Sequence, residues 1–214
     1  MGGFKNADGK PVLLRMVKEI QDNKAYLGEV DGLIGDGDHG MNMNKGFTVF
    51  ETRFKDEDIS FTDGLDELGM ILLNEIGGSM GPIYGTIFMD MAEAGAELEE
   101  ISLEAFGGML AAGLDGLCGI VEAKVGDKTL VDTLSPAAKA VGDGAKAGED
   151  FAGTLDKMKE AARAGRDSTK DMTAKYGRSS RLGERSRGVL DAGATSCCII
   201  LEAMADGIKE ILNG

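Results

Sequence analysis

The chain has 214 residues, 43% of them apolar, and a mass of 22.4 kDa, enough for a domain with a real core and too apolar for a disordered chain. Its 37 acidic and 23 basic residues leave a formal charge of −14, which repels nucleic-acid phosphates and excludes a general nucleic-acid binder. No stretch reads as the roughly 20 apolar residues of a membrane helix, residues 1–10 are too polar for a signal peptide, and Cys118, Cys197 and Cys198 form neither a disulfide framework nor a spaced zinc site, so a cytoplasmic setting is expected.

Glycine supplies 33 residues, about twice the usual ~7%, and tryptophan is absent. Strand formers are scarce, so the pattern is one of helices punctuated by glycine loops. In chain order, the spacing of apolar residues predicts helices over 11–30, 41–54, 62–76, 83–98, 103–121, 127–141, 149–176 and 194–212. Residues 55–58 read as a connection and 142–148 as a loop. Pro136 should kink the sixth helix, unless that helix begins later. The polar, basic stretch 177–193 carries no clear signal. No repeat or linker divides the chain, so the whole of 1–214 is expected to be a single all-α domain.

Three loops carry chemistry. Asp31, Asp36 and Asp38 fall within eight residues and are spaced by glycines, which permit the turns that bring carboxylates together. Carboxylate oxygens are hard ligands suited to Mg²⁺, and no Lys or Arg stands near them in sequence. The bland reading is an acidic turn. His39, the one histidine, follows directly. Gly77-Gly78-Ser79-Met80-Gly81 precedes a helix with Pro82 at its front, a local design for binding an anion on backbone N–H groups. Asp127 at the next helix start reads as an N-cap. The stretch 177–188 gathers Arg178, Arg181, Arg185 and Arg187, whose forked donors suit phosphate oxygens. Asp191 then caps the last helix. A carboxylate cluster, an anion-binding turn and an arginine loop together describe a nucleotide–metal site on a helical scaffold, not a βαβ nucleotide fold.

Four stretches in this order, IGDGDHGMNMNKGF, GGSMGPIYGT, GDKTLVDTLSP and GRSSRLGERSRGVLDAGATS, resemble the nucleotide-binding L subunit of bacterial dihydroxyacetone kinases, a family also found as the C-terminal domain of single-chain ATP-dependent homologues. The resemblance runs from about residue 26 to 201. It implies an antiparallel barrel of eight amphipathic helices with the nucleotide at one end. It implies that Asp31, Asp36 and Asp38 hold two Mg²⁺ ions bridging the phosphates of ADP or ATP. It further implies nucleotide contacts from His39, Gly40, Met41, Asn42, Ser79, Met80, Arg178, Asp191, Ala192 and Gly193, with Val121 and Leu130 at the adenine pocket. The sugar would sit on a separate dihydroxyacetone-binding K subunit. A multiphosphoryl M subunit of the phosphotransferase system would recharge bound ADP, or free ATP would exchange. A homodimer is expected, with no nucleic-acid or membrane partner. Arg181 stands where the family has tyrosine, Arg187 where it has an apolar residue, and Ala192 where it has proline. Alternatives are a kinase subunit for a related ketose such as erythrulose, a non-catalytic nucleotide sensor docking on a regulator, and the kinase-like domain of fatty-acid phosphorylation systems.

Overall fold

The computed structural model describes residues 2–214. Among them are nine α-helices: α1 (Lys10–Asp22), α2 (Lys24–Gly32), α3 (His39–Phe54), α4 (Phe61–Glu75), α5 (Met80–Gly95), α6 (Leu103–Ile120), α7 (Val131–Ala147), α8 (Phe151–Ser168) and α9 (Ala192–Asn213). Eight of them pack as a ring in the order α1, α3, α4, α5, α6, α7, α8, α9, and α9 returns to α1. Consecutive members are antiparallel, joined by loops except where α2 lies between α1 and α3 and the long stretch 169–191 lies between α8 and α9. The ring is the expected barrel, and α2 is a short ninth helix packed mainly on α3.

One continuous core fills the ring. Val12, Met16 and Ile20 of α1, Phe47 and Phe50 of α3, Leu65, Leu68 and Leu72 of α4, Phe106 and Leu110 of α6, and Cys198, Leu201 and Met204 of α9 are all buried. Each recurs at three- or four-residue steps, the inward stripe of an amphipathic helix. α6 is long and apolar enough by composition to cross a bilayer, contrary to the first reading of the sequence. Here it packs between α5 and α7 and buries Leu103, Phe106, Met109, Leu110 and Leu117 in the common core.

Several expected boundaries move, each for a local reason. The helix over 11–30 breaks at Asn23 (φ −95°, ψ 6°), which lets α2 turn and present Asp31 at its end. The sixth expected helix starts at Val131, not 127, and runs through residues 142–147, so the expected loop there is helix up to the left-handed Gly148. Pro136 sits inside α7. It removes an N–H that would have bonded the Asp132 carbonyl. That carbonyl faces α8 at close range: a Cβ on Gly165 would stand 2.1 Å from it. The helix over 149–176 ends at Ser168 in a 3-10 turn, Thr169–Asp171. The uncertain stretch after 177 forms 3-10 turns over Arg178–Ser186, interrupted by Gly183 at φ 53°. An unexpected two-stranded antiparallel ribbon, β1 (Phe4–Lys5) with β2 (Glu100–Ile101), anchors the N-terminus.

Side-chain capping differs between helices that begin at opposite ends of the barrel, with two exceptions: Gly9 offers α1 no side chain, and Asp191 caps α9. α4, α6 and α8 begin with Ser60, Ser102 and Asp150, whose side chains each accept a first-turn N–H. α3, α5 and α7 begin at the opposite end and have no side-chain cap. Their first N–H groups turn elsewhere: the His39 N–H donates to Asp31 Oδ2 at 3.3 Å and the Val131 N–H to Thr129 Oγ1 at 3.2 Å, while the start of α5 has no side-chain cap.

Gly165→Ala should cost about 1–3 kcal/mol of stability, because the added methyl forces α8 off the Asp132 carbonyl. Urea denaturation measures it, and an unchanged midpoint would show that the α7–α8 contact relaxes freely.

Candidate nucleotide–metal site

At the end where α3, α5, α7 and α9 begin, the four helix starts open onto one cavity of about 940 Å³. This is the upper part of the range for small-ligand sites. Helix N-termini carry partial positive charge, so four of them facing one space favour an anion.

The acidic loop forms one wall. α2 delivers Asp31, Asp36 follows in the turn, and Asp38 occupies the N-cap position of α3. One carboxylate oxygen from each lies within 4.8 Å of the others. Two glycines make this possible. Gly37 takes φ 78°, and a Cβ on Gly35 would stand 2.2 Å from Asp31 Oδ1. Asp31 also accepts the His39 backbone N–H at 3.3 Å.

Like charges this close need a counter-charge, and the arginine loop brings one. Arg178 Nη1 donates to Asp36 Oδ2 and lies 3.5 Å from Asp38 Oδ2. Desolvation pushes the Asp36 carboxyl up, but the hydrogen bond and charge of Arg178 outweigh it and hold the group below the usual carboxylate range. The all-oxygen donor set, the space kept open at Gly35 and the guanidinium drawn into the cluster all fit a hard divalent cation.

Opposite lies the Gly77–Met80 turn. Gly78 takes φ 72°, and Ser79 occupies the N-cap position of α5 without bonding a first-turn N–H. Its hydroxyl and the N–H groups of Met80 and Gly81 are the donors a phosphate would meet. Ile83, Ile120, Val121 and Leu130 add an apolar section of wall.

His39 and Asp191 make the floor. His39 Nε2 lies 2.7 Å from Ser196 Oγ, which lies 2.6 Å from the Tyr84 hydroxyl, and Tyr84 donates to the Gly193 carbonyl at 3.1 Å. Burial holds the imidazole below its usual value, against the pull of Asp31 and Asp38, so His39 is neutral near pH 7. Asp191 caps α9 by accepting the Ala194 N–H at 2.8 Å. Burial pushes its carboxyl up to about 6, despite that bond and the charge of Lys128. Asp127 does not cap α7. It folds back onto the Lys124 N–H at 2.8 Å and pairs with Lys175 at 2.5 Å, while Asp132 accepts from Gly126 and Thr129. The buried thiols of Cys197 and Cys198 are both pushed up by desolvation, the latter to about 12, which keeps them protonated and inert.

Of the residues singled out from sequence, Asp31, Asp36, Asp38, His39, Asn42, Ser79, Met80, Val121, Leu130, Arg178, Asp191, Ala192 and Gly193 line this one cavity. Gly40 and Met41 do not. Gly40 is buried between α2 and α3, where a Cβ would stand 2.0 Å from the Lys24 carbonyl, and the Met41 side chain is 60% exposed. Tyr84, Tyr176 and Lys128 also line the wall and were not singled out.

Residues 33–206 match the DAK2 domain. The chain belongs to the DAK2-domain family. It is 37% identical over 188 residues to the ADP-binding subunit DhaL of PEP-dependent dihydroxyacetone kinase 1 from Listeria innocua, covering 87% of this chain and 89% of that one. It is 36% identical to the corresponding subunit of Escherichia coli, with 86% and 89% covered. Among solved structures, the dihydroxyacetone kinase from C. freundii in complex with AMP-PNP and Mg²⁺ matches with a TM-score of 0.71 at 20% identity. That match covers 96% of this chain and 35% of the other, and it supports the fold. Asp31 falls just before the matched domain, yet α2 places it in the cluster.

Asp191→Asn keeps the cap and removes the titration. The wild-type carboxyl keeps a proton when folded that it loses near pH ~3.9 when unfolded. Its contribution is therefore fully present below about pH 4 and falls as pH rises through about 6. Urea midpoints should show the variant gaining on the wild type between pH 4 and 6 and holding that gain above. A difference independent of pH would contradict the assignment.

Proposed function

We propose that this chain is the nucleotide-holding, phosphoryl-donor subunit of a dihydroxyacetone kinase, and that residues 1–214 act as one DAK2 unit. The observation that carries the reading is the pairing, in one cavity, of the Asp31–Asp36–Asp38 cluster with the uncapped start of α5. The relatives' names support the ligand, since both are called ADP-binding subunits of a PEP-dependent kinase. The L-erythrulose 1-kinase of Mycolicibacterium smegmatis is more distant, at 30% identity, and this chain covers 33% of it.

Asp31, Asp36 and Asp38 would hold the two Mg²⁺ ions. Bound there, the ions supply neutralisation of phosphate charge and orientation of the phosphoryl chain. Ser79 and the free N–H groups of Met80 and Gly81 bind the phosphates. Val121 and Leu130 offer apolar contact for the base. Arg178, freed from Asp36, turns its fork to the phosphate oxygens. His39 stays neutral, fixed by Ser196, and orients the acidic loop through its backbone bond to Asp31.

No cavity residue is set up as a covalent nucleophile. In this reading the sugar is held by a partner, a K-type subunit, with a phosphotransferase-system protein as phosphoryl donor to bound ADP, in keeping with relatives named as subunits of a PEP-dependent kinase. The mouth is built for contact. Ile120 and Tyr176 on its wall, Met41 in the first turn of α3, and Leu33 and Val125 on the adjoining loops are exposed large apolar residues. We place the protein in the cytoplasm, as a homodimer.

Asp36→Asn should weaken Mg-dependent ADP binding at least about tenfold in calorimetric titration. The wild type should phosphorylate dihydroxyacetone only when a K-type subunit is added. Retained affinity in the variant would sink the metal assignment.

A further inference from the structure

Lys128 stands out among the residues that the proposed mechanism does not use. Its side chain is 1% exposed, and it is the one non-glycine at positive φ among the described residues, at 62°. A turn that needs only the left-handed region is served by glycine or asparagine. A lysine held there, with its charge buried, points to a task for the side chain.

The ammonium reaches across the molecule. Lys128 Nζ donates to the Thr169 carbonyl and to the Val189 carbonyl, both at 2.5 Å. These two carbonyls stand at the two ends of one excursion of the chain, which leaves α8 at Thr169, carries Arg178 at its far side, and returns at Val189 to the start of α9. Neighbouring bonds stitch the same neck. The Gly188 N–H donates to the Lys170 carbonyl at 2.8 Å, and the Asp191 N–H donates to Thr169 Oγ1 at 3.0 Å. Beyond this neck, Arg178 is the residue that meets Asp36 and Asp38.

We propose that Lys128 is the positioning residue of the arginine loop: it clamps both ends of the 169–189 excursion and thereby sets where Arg178 stands over the acidic cluster. The clamp needs donors aimed at two carbonyls at once, which a single ammonium supplies. Without it the excursion keeps the bonds from Gly188 to Lys170, Asp191 to Thr169, Ala174 to Ser186 and Lys175 to Asp127, but loses the one side chain that ties Thr169 to Val189, and Arg178 stands less firmly over the cluster. Affinity for a Mg–nucleotide then depends on Lys128 through Arg178. That last step rests on the proposed function, whereas the clamp itself does not.

Two readouts on the full chain separate them. Lys128→Asn keeps a residue that tolerates the left-handed backbone and removes the ammonium. Lys128→Arg keeps donors. With neither metal nor nucleotide present, trypsin should cut Lys128→Asn at Arg178, Arg181 and Arg185 at least about tenfold faster than the wild type, with unchanged helix content by circular dichroism. Lys128→Arg should restore much of the protection. Should Lys128→Asn fail to fold, Lys128→Gln takes its place, with an intermediate rate expected. Cleavage at the wild-type rate in the folded variant would overturn the clamp. In Mg–ADP titrations, Lys128→Asn should weaken binding about tenfold or more, but add less than about twofold in an Arg178→Ala background. Losses that multiply in the double variant would overturn action through Arg178. A wild type that binds no Mg–ADP would defeat the functional reading and leave the proteolysis result to decide the clamp.

Discussion

Three carboxylates held with oxygens within 4.8 Å of one another set the terms for the rest of this molecule. Such a cluster is unfavourable unless positive charge comes to it. Here it comes from several sources at once. The fold turns the starts of α3, α5, α7 and α9 toward the cavity. A loop from between α8 and α9 carries Arg178 to Asp36 and Asp38. An antiparallel ring makes the first of these automatic, because alternate helices must begin at the same end. The capping pattern sharpens it. Three helices that begin at the far end, α4, α6 and α8, are closed by Ser60, Ser102 and Asp150, whereas at the cavity α3 gives its first N–H to Asp31 of the cluster and α5 has no side-chain cap.

The electrostatics of the site form a graded set. Arg178 keeps Asp36 ionised, and burial keeps His39 neutral and Asp191 partly protonated near pH 6. A chain of net charge −14 thus presents, at one end only, a surface where a polyphosphate with divalent cations is more welcome than elsewhere on it. Arg181, Arg185 and Arg187 extend that basic character outward along the same loop, and Arg181 reaches the cavity wall. Exposed apolar side chains around the mouth give a partner subunit something to cover.

Much of this was legible in the chain because the signals are local. Aspartates spaced by glycines, Gly-Gly-Ser before a proline-headed helix, and four arginines within ten residues each announce themselves in a short window. The helical stripes were equally plain, and an antiparallel ring is how eight of them bury their faces together. What escaped was non-local or hidden in a continuous pattern. The break at Asn23 lies inside an apolar repeat that runs on without interruption, and only α2 turning to aim Asp31 reveals it. Tyr84 and Ser196 meet across 112 positions. Gly40 looked like part of a ligand loop, yet its missing side chain makes room for the Lys24 carbonyl. Lys128 carries no local signal, because nothing nearby in sequence tells that its partners are carbonyls 41 and 61 residues away.

The most direct test is chemical. The protein is purified without added nucleotide or metal and denatured, and the supernatant is assayed for adenine nucleotides and magnesium. The account predicts ADP near one per chain with about two magnesium ions, as a two-metal site holding a resident coenzyme requires. A protein that carries neither, and takes up neither ADP nor ATP when supplied with magnesium, would contradict it.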